Sequence, residues 1–572
     1  MLAPDPTRRL VGFSETYCAY LSACGVVAGR VSLGRPARQI MSVHSSQINS
    51  VACATVRWRT MLVVASCFYL LTCSGRMGSA DAYTQLQAAV NFVHTGFVST
   101  DDPMLFDYCS VPSPSGRYYQ AHDPGNLVLF IPSAVVAVAL GEGEDPAKKV
   151  PLPGRVSAAL TYALVGAGCL TAIYVALCQI LPPRAALATT ALAGCGTPLW
   201  IYTRCTMDVL PAALGVAVVL AALLARAGQR ISLYRAAALA AVGVAFAGWF
   251  RASTLPFIAA PALMTILWNE RAHRWQAAFI YCSLLIVCFV PVLGYNLARS
   301  GNPFVLGTMH PRYDDQNGFS GDIGTGLYGL LLSPNHGLFV FAPWLLIALY
   351  PKGLRGINKP HRTVIIASLL GAIAYTVMIA ALRQWAKVEW GPRYLVPFLP
   401  VIVVVAAVAA RWLWETRWWP AVAILALLSL ATTLPAGLVN YSYVVTEYPD
   451  AANPRATRPA QIIGTYRALI EGVRGRDTVG PLAVRGDPER SAGLHFPDLL
   501  IARLFERSAV AKGVGLTATV VLLLGLFWGT WSLLRRGSAT VSIRIAAEPC
   551  TAADGEGIRL FQGHSSLGPR RG

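Results

Sequence analysis

Charged residues are scarce in this chain, and the few that border its apolar stretches are the ones placed to do chemistry. Asp81, in GSADAYTQLQAAVNFVHTG, stands a few residues beyond the first apolar block. A carboxylate at the edge of such a block can take a proton from a hydroxyl if it is exposed and within reach; it could equally cap the helix that follows it. Asp208, in TPLWIYTRCTMDVLPAAL with Arg204 just before it, is a second carboxylate at a block end. Two such groups can divide a base role from a metal-holding role, or both can be helix-end caps. Arg251, in GWFRASTLP, separates two apolar blocks, where it could grip a phosphate or snorkel to lipid headgroups.

The densest constellation is RQWAKVEWGPRYLVPFLP, which sets Arg383, Lys387, Glu389 and Arg393 beside Trp385, Trp390 and Tyr394. Guanidinium forks suit phosphate oxygens and tryptophan faces suit sugar rings or lipid stems; the alternative, an aromatic belt with snorkelling cations, has no need of Glu389 or of the Gly391-Pro392 turn. GRYYQAHDPGNLVLFIPS adds Tyr119, His122 and Asp123 ahead of a Pro-Gly turn, although a histidine at such a turn can simply be solvated. The Gly-rich stretch carrying His310, Arg312, Asp314 and Asp315 has no GxxxxGK[ST] and is no nucleotide loop, but it suits either a mobile cap or an ordered connector.

The elements that must hold these residues are apolar helices. Of 572 residues 55% are hydrophobic and only 13% charged, with a mean hydropathy of +0.50, whereas about a quarter of an average soluble domain is charged. Twelve blocks are candidates to cross a bilayer, at 60–76, 156–181, 185–203, 209–227, 236–250, 254–269, 277–297, 336–350, 363–382, 394–410, 419–437 and 514–534. The expected fold is therefore all-α and polytopic, with about 12 (11–13) transmembrane helices.

A thirteenth block, Gly125 to Gly141, sets the orientation. If it stays on the surface, the clusters Arg226/Arg230/Arg235, Arg271/Arg274, Lys352/Arg355/Lys359/Arg362, Arg411/Arg417 and Arg535/Arg536 all fall on the side of the Arg-rich N-terminus. That satisfies the positive-inside rule and predicts cytoplasmic termini with an extracytoplasmic site. The net charge of +19 is thus a matter of topology, and without a basic stripe interleaved with aromatics it does not point to nucleic acid.

The expected organisation is a leader over 1–57, a catalytic membrane region over 58–437, an extracytoplasmic segment over 438–512, a last span over 513–536 and a cytoplasmic tail over 537–572. Thirteen cysteines show no CxxC pair; most lie in apolar blocks, and a disulfide is open to Cys109 and Cys205.

In order along the chain, Asp81 after the first span, HDPGNLVLFIP, TPLWIYTR with Asp208, FRAST, GLYGLLLSPNHGLFVFAPW and WGPRYLVPFLP resemble the GT-C superfamily of membrane glycosyltransferases, especially bacterial relatives of protein O-mannosyltransferases and aminoarabinose transferases. The resemblance spans residues 58–437 and implies surface helices in the first outer loop and transfer of a sugar from a polyprenyl-phosphate donor to a lipid, glycan or protein acceptor. It makes Asp81 the base and gives the donor phosphate to Arg251 and Arg393, with Lys387 and His122 as helpers. Tyr119, Glu389 and Trp390 complete the substrate-binding set; no cofactor is assigned, and a divalent metal stays open with Asp208 as its carboxylate. A transporter or lipid flippase is the rival reading, and it calls for ionisable groups near mid-membrane.

Overall fold

Inside a bilayer every backbone amide must find its partner within its own segment, so long uncharged runs of Ala, Leu and Val fold as helices. The computed structural model describes residues 58–106, 109–141, 150–269, 272–305, 318–383, 385, 390–439, 461–474, 497–505 and 508–545. The first described elements are α1 (Trp58–Leu71), α2 (Ala80–Thr95), the strands β1 (Ser110–Pro112) and β2 (Tyr118–Gln120), α3 (Gly125–Leu129), α4 (Ile131–Leu140) and α5 (Leu152–Leu177). Then come α6 (Pro183–Cys195), α7 (Pro198–Cys205), α8 (Val209–Ala227), α9 (Leu233–Phe250), α10 (Leu255–Asn269) and α11 (Arg274–Ser300). The series ends with α12 (Ile323–Leu332), α13 (Lys359–Ala380), α14 (Leu399–Trp414), α15 (Trp419–Leu438), α16 (Gln461–Val473) and α17 (Ala509–Ile545).

Among the described residues eight helical stretches are long and apolar enough to cross a membrane: α5, α8, α9, α11, α13, Arg393–Trp414, α15 and Ala509–Arg535. They coincide with eight of the twelve expected blocks, and the other four differ for local reasons. The first forms only the short α1. The block 185–203 breaks at Gly196, where Thr197 caps α7 by accepting the Leu199 amide at 3.3 Å and Pro198 starts the new helix. The block 254–269 makes the 15-residue α10, with Pro261 inside it. The block 336–350 holds one α-turn, Leu338–Phe341, and then 3-10 helix over Pro343–Leu349, because Ala342 leaves the helical region at φ −142° and ψ 71° before a proline. Apolar content predicted burial there but not helix type.

Small residues let the central helices touch. A Cβ on Gly215 of α8 would stand 2.5 Å from the Gly243 carbonyl oxygen of α9, so these two backbones meet where neither carries a side chain. At the periphery the soluble-protein pattern is inverted: Phe279, Ile286 and Val287 of α11 and Leu524, Phe527 and Trp528 of α17 are more than half exposed. Such outward apolar faces suit lipid, and the chain is a membrane protein. α3 and α4 divide the block Gly125 to Gly141 at Phe130, and Asn126 ties them in, donating to Gln85 of α2 and accepting from Tyr162 of α5.

The candidate functional site

Four helix ends and a hairpin converge on one cluster of charge. Asp81 lies in the first turn of α2, but Ser79 is the N-cap residue there, and the Asp81 carboxylate turns instead to Arg393 and His122. Arg393 opens the 3-10 turn Arg393–Phe398 ahead of α14, and its Nη2 lies 3.4 Å from both Asp81 Oδ2 and Asp208 Oδ1. Asp208 precedes α8, and its other oxygen meets Arg251 Nη1 at 3.1 Å. Arg251 ends α9, donates through Nε to the Tyr375 hydroxyl of α13 at 3.1 Å and stacks over Tyr394 at 4.6 Å. Carboxylates and guanidiniums thus alternate as Asp81, Arg393, Asp208, Arg251. With 11% of its side chain exposed, Arg251 is turned into the protein rather than out to headgroups.

His122 is delivered by the β1–β2 hairpin. The strands are antiparallel with Ser110 opposite Gln120, and the next backbone bond, from the Ala121 amide to the Cys109 carbonyl at 2.9 Å, brings the two strand ends together. His122 Nε2 consequently lies 3.6 Å from Asp81 Oδ1 and 3.6 Å from Cys109 Sγ. Asp123, the next residue, accepts the Ala252 amide at 3.0 Å and so pins the hairpin beside Arg251. Arg299, fully buried at the end of α11, donates to the carbonyls of Ala121 and His122. Burial opposes charge on the His122 ring, but the Asp81 carboxylate and the Cys109 sulfur outweigh it and hold its pKa well above the usual histidine value. Burial also raises the Asp123 carboxyl, against the opposing pull of the Ala252 amide and Arg299.

The turn that aims Arg393 is anchored on several sides. Gly391 adopts φ +62°, a left-handed conformation that a side chain would strain, and its amide donates to Gln461 Oε1 of α16 at 2.9 Å. The Trp390 carbonyl accepts the Tyr202 hydroxyl of α7 at 2.8 Å. α7 is itself locked by Arg204, which donates to the carbonyls of Ala436 and Val439 and pairs with Asp498 Oδ2 at 3.1 Å; Asp498 also faces Arg76 at 3.8 Å.

Several sequence expectations change in kind. Trp390 is 1% exposed, with its ring edge-on to Phe341 at 4.6 Å, and Tyr119 packs against Tyr295 at 5.9 Å. Asp208 lies between two guanidiniums, Arg393 and Arg251. Cys109 and Cys205 are free thiols, not a disulfide; Cys205 donates to the Ile201 carbonyl at 3.0 Å. Lys387, Glu389, His310, Arg312, Asp314 and Asp315 lie outside the described residues. Tyr375 and Arg299 carry no local signal in the sequence, since each is a polar residue inside a long, mostly apolar helix, and nothing in the sequence shows that a hairpin returns Cys109 to His122.

No family model matches the chain, and no curated protein does. Solved structures give likenesses. One is ArnT from Cupriavidus metallidurans bound to undecaprenyl phosphate, at 17% identity and a TM-score of 0.44, covering 86% of this chain and 78% of that one. The same protein in the apo state gives 16%, 0.45, 87% and 78%. The apo oligosaccharyltransferase from Archaeoglobus fulgidus gives 12% identity and a TM-score of 0.38, over 81% of this chain and 59% of that one.

Proposed function

We propose that the chain is a glycosyltransferase that moves a sugar from a polyprenyl-phosphate donor to a lipid, glycan or protein acceptor at the outer face of the inner (plasma) membrane. The observation that carries this reading is the alternating row of Asp81, Arg393, Asp208 and Arg251 at the ends of four helices. A row of this kind holds two guanidiniums ready for an arriving phosphate, which takes over the role Asp208 plays while the site waits. Ionisable groups at helix ends, rather than halfway along them, also count against a transporter.

The chemistry asked of the site is a single displacement. The acceptor oxygen bonds to the anomeric carbon as the bond from that carbon to the phosphate oxygen breaks, and the electron pair leaves with the phosphate. Asp81 receives the acceptor proton late, and Arg393 and Arg251 neutralise the departing lipid phosphate. The leaving group is already a stabilised anion, so the site needs little acid catalysis.

Charge supports the orientation. Arg226 and Arg230 lie at the end of α8 opposite Asp208, Lys359 and Arg362 at the end of α13 opposite Tyr375, and Arg411 near the end of α14 opposite Arg393. A cytoplasmic location for those clusters puts both termini inside and the site outside.

The test is transfer by purified membranes supplied with a panel of polyprenyl-phosphate sugars. The wild type should transfer at least one sugar and Asp81→Asn none, at equal amounts of inserted protein; full activity in Asp81→Asn would remove the base assignment.

A further inference from the structure

The structure puts an oxygen, a nitrogen and a sulfur donor around one point. Asp81, Cys109 and His122 each offer a ligand atom, and the three atoms lie within 4.8 Å of one another. Two of the separations, His122 Nε2 to Asp81 Oδ1 and His122 Nε2 to Cys109 Sγ, are both 3.6 Å. A direct charge-assisted hydrogen bond from an imidazolium to a carboxylate would be about 2.7–2.9 Å, so the histidine–aspartate pair is too far apart to be explained by that bond alone. The same separation matches the edge of a tetrahedron: zinc bonds of about 2.0–2.3 Å to N, O and S set neighbouring ligands roughly 3.4–3.6 Å apart.

We propose that Asp81, Cys109 and His122 form a binding site for a divalent zinc-class cation. One thiolate, one imidazole and one carboxylate are borderline donors that favour zinc over magnesium or calcium, which take oxygen shells. Three protein ligands leave a fourth tetrahedral position for water or a substrate oxygen, the pattern of a reactive rather than a purely structural zinc.

The surroundings are arranged as an outer shell. Asp81 gives Oδ2 to Arg393, leaving Oδ1 on the side of His122. The His122 amide donates to Gln120 Oε1 at 2.9 Å and its carbonyl accepts Arg299 Nη1 at 3.0 Å, fixing the residue from both sides. The Cys109 carbonyl is held by Ala121, so the hairpin sets the spacing of two ligands before any ion arrives. Charge is consistent as well. Asp81, Asp208 and a Cys109 thiolate carry three negative charges against Arg251, Arg393 and a dication, which leaves a slight positive excess of the sign an anionic donor requires.

The site does not depend on what the protein transfers, and its test reads the metal directly. The full chain, purified in detergent, stripped with chelator and titrated with Co(II), should bind one equivalent. It should then show a visible ligand-field band of tetrahedral strength and a near-ultraviolet thiolate-to-cobalt charge-transfer band, both displaced by one equivalent of Zn(II). Cys109→Ser, nearly isosteric, should abolish the charge-transfer band, and His122→Ala should weaken cobalt binding by about tenfold or more. Cys288→Ala, a thiol of α11, should leave the spectrum unchanged. The proposal is overturned if the well-folded wild type, judged by a single gel-filtration peak, shows no stoichiometric cobalt spectrum, or if the charge-transfer band persists in Cys109→Ser. Should Cys109→Ser fail to fold, monobromobimane alkylation of the wild type, read at Cys109 by peptide mass spectrometry, decides: zinc should protect the thiol over long incubation, and equal labelling with and without zinc refutes the site.

Discussion

Replacing Arg393 by alanine removes the one group that both carboxylates share. Asp81 Oδ2 and Asp208 Oδ1 each lie 3.4 Å from its Nη2, so these oxygens are no further apart than twice that distance. At about 7 Å and an effective dielectric of about 20, two bare carboxylates repel by about 2 kcal/mol, which Arg251 offsets on the Asp208 side and His122 on the Asp81 side. The variant also loses a charge-assisted contact to the donor phosphate, about 1.5–3 kcal/mol, which corresponds to roughly 10- to 150-fold in kcat/KM. Arg393→Lys keeps the charge but not the planar fork that spans two acceptors, so it should recover only part of the loss. The control is Arg411→Ala, half-exposed and paired with Glu415 at 3.7 Å, far along α14 from the site. The assay is initial-rate sugar transfer in proteoliposomes at matched protein, with donor concentration varied. An Arg393→Ala enzyme within about twofold of wild type, or an Arg411→Ala enzyme that falls as far, would refute the reasoning.

Arg251→Met should cost activity by a comparable factor, since it takes a partner from Asp208 and another from Tyr375; a wild-type rate with the same donor KM would contradict this. Arg204→Met should destabilise the fold by about 3–5 kcal/mol, because it removes the buried 3.1 Å ion pair to Asp498, and the thermal melt in detergent should drop accordingly. Gly326→Ala should cost about 1–3 kcal/mol in the same melt, because its Cβ would fall 2.2 Å from the Ala380 carbonyl oxygen where α12 crosses α13. Cysteines introduced at Arg230 and at Ser115 of the hairpin turn should react with a membrane-impermeant maleimide from the cytoplasmic and the outer side respectively; the opposite pattern would reverse the orientation, and same-side labelling would refute the topology.

Much of this was legible in the sequence because the revealing residues are charges at the ends of apolar blocks. Asp81, Asp208, Arg251 and Arg393 stand out on that ground alone, and the fold brings them within salt-bridge distance of one another. Their pairing was not legible. That one guanidinium serves two carboxylates from α2 and α8 depends on how the helices cross, and the crossings are set by glycines such as Gly215 and Gly243, which look like any others in an apolar run. Helix type was equally hidden at 336–350, where a proline and one non-helical residue turned an apolar block into 3-10 turns. The role of α16 was hidden for a different reason: Gln461 reaches the Gly391 amide across 70 residues, and no local pattern encodes such a contact.

The Arg204–Asp498 pair joins residues 294 positions apart. At roughly 5–20 residues per second, a ribosome needs about 15–60 s to reach the aspartate after making the arginine. For that interval α7 carries a cation without its counter-charge, in a part of the chain that ends up almost wholly buried. The nascent protein therefore passes through a stage in which most of its membrane helices exist but one of them is electrostatically unfinished. A chain that stops short of residue 498 keeps the carbonyls of Ala436 and Val439 as acceptors for Arg204 but lacks the carboxylate that balances its charge.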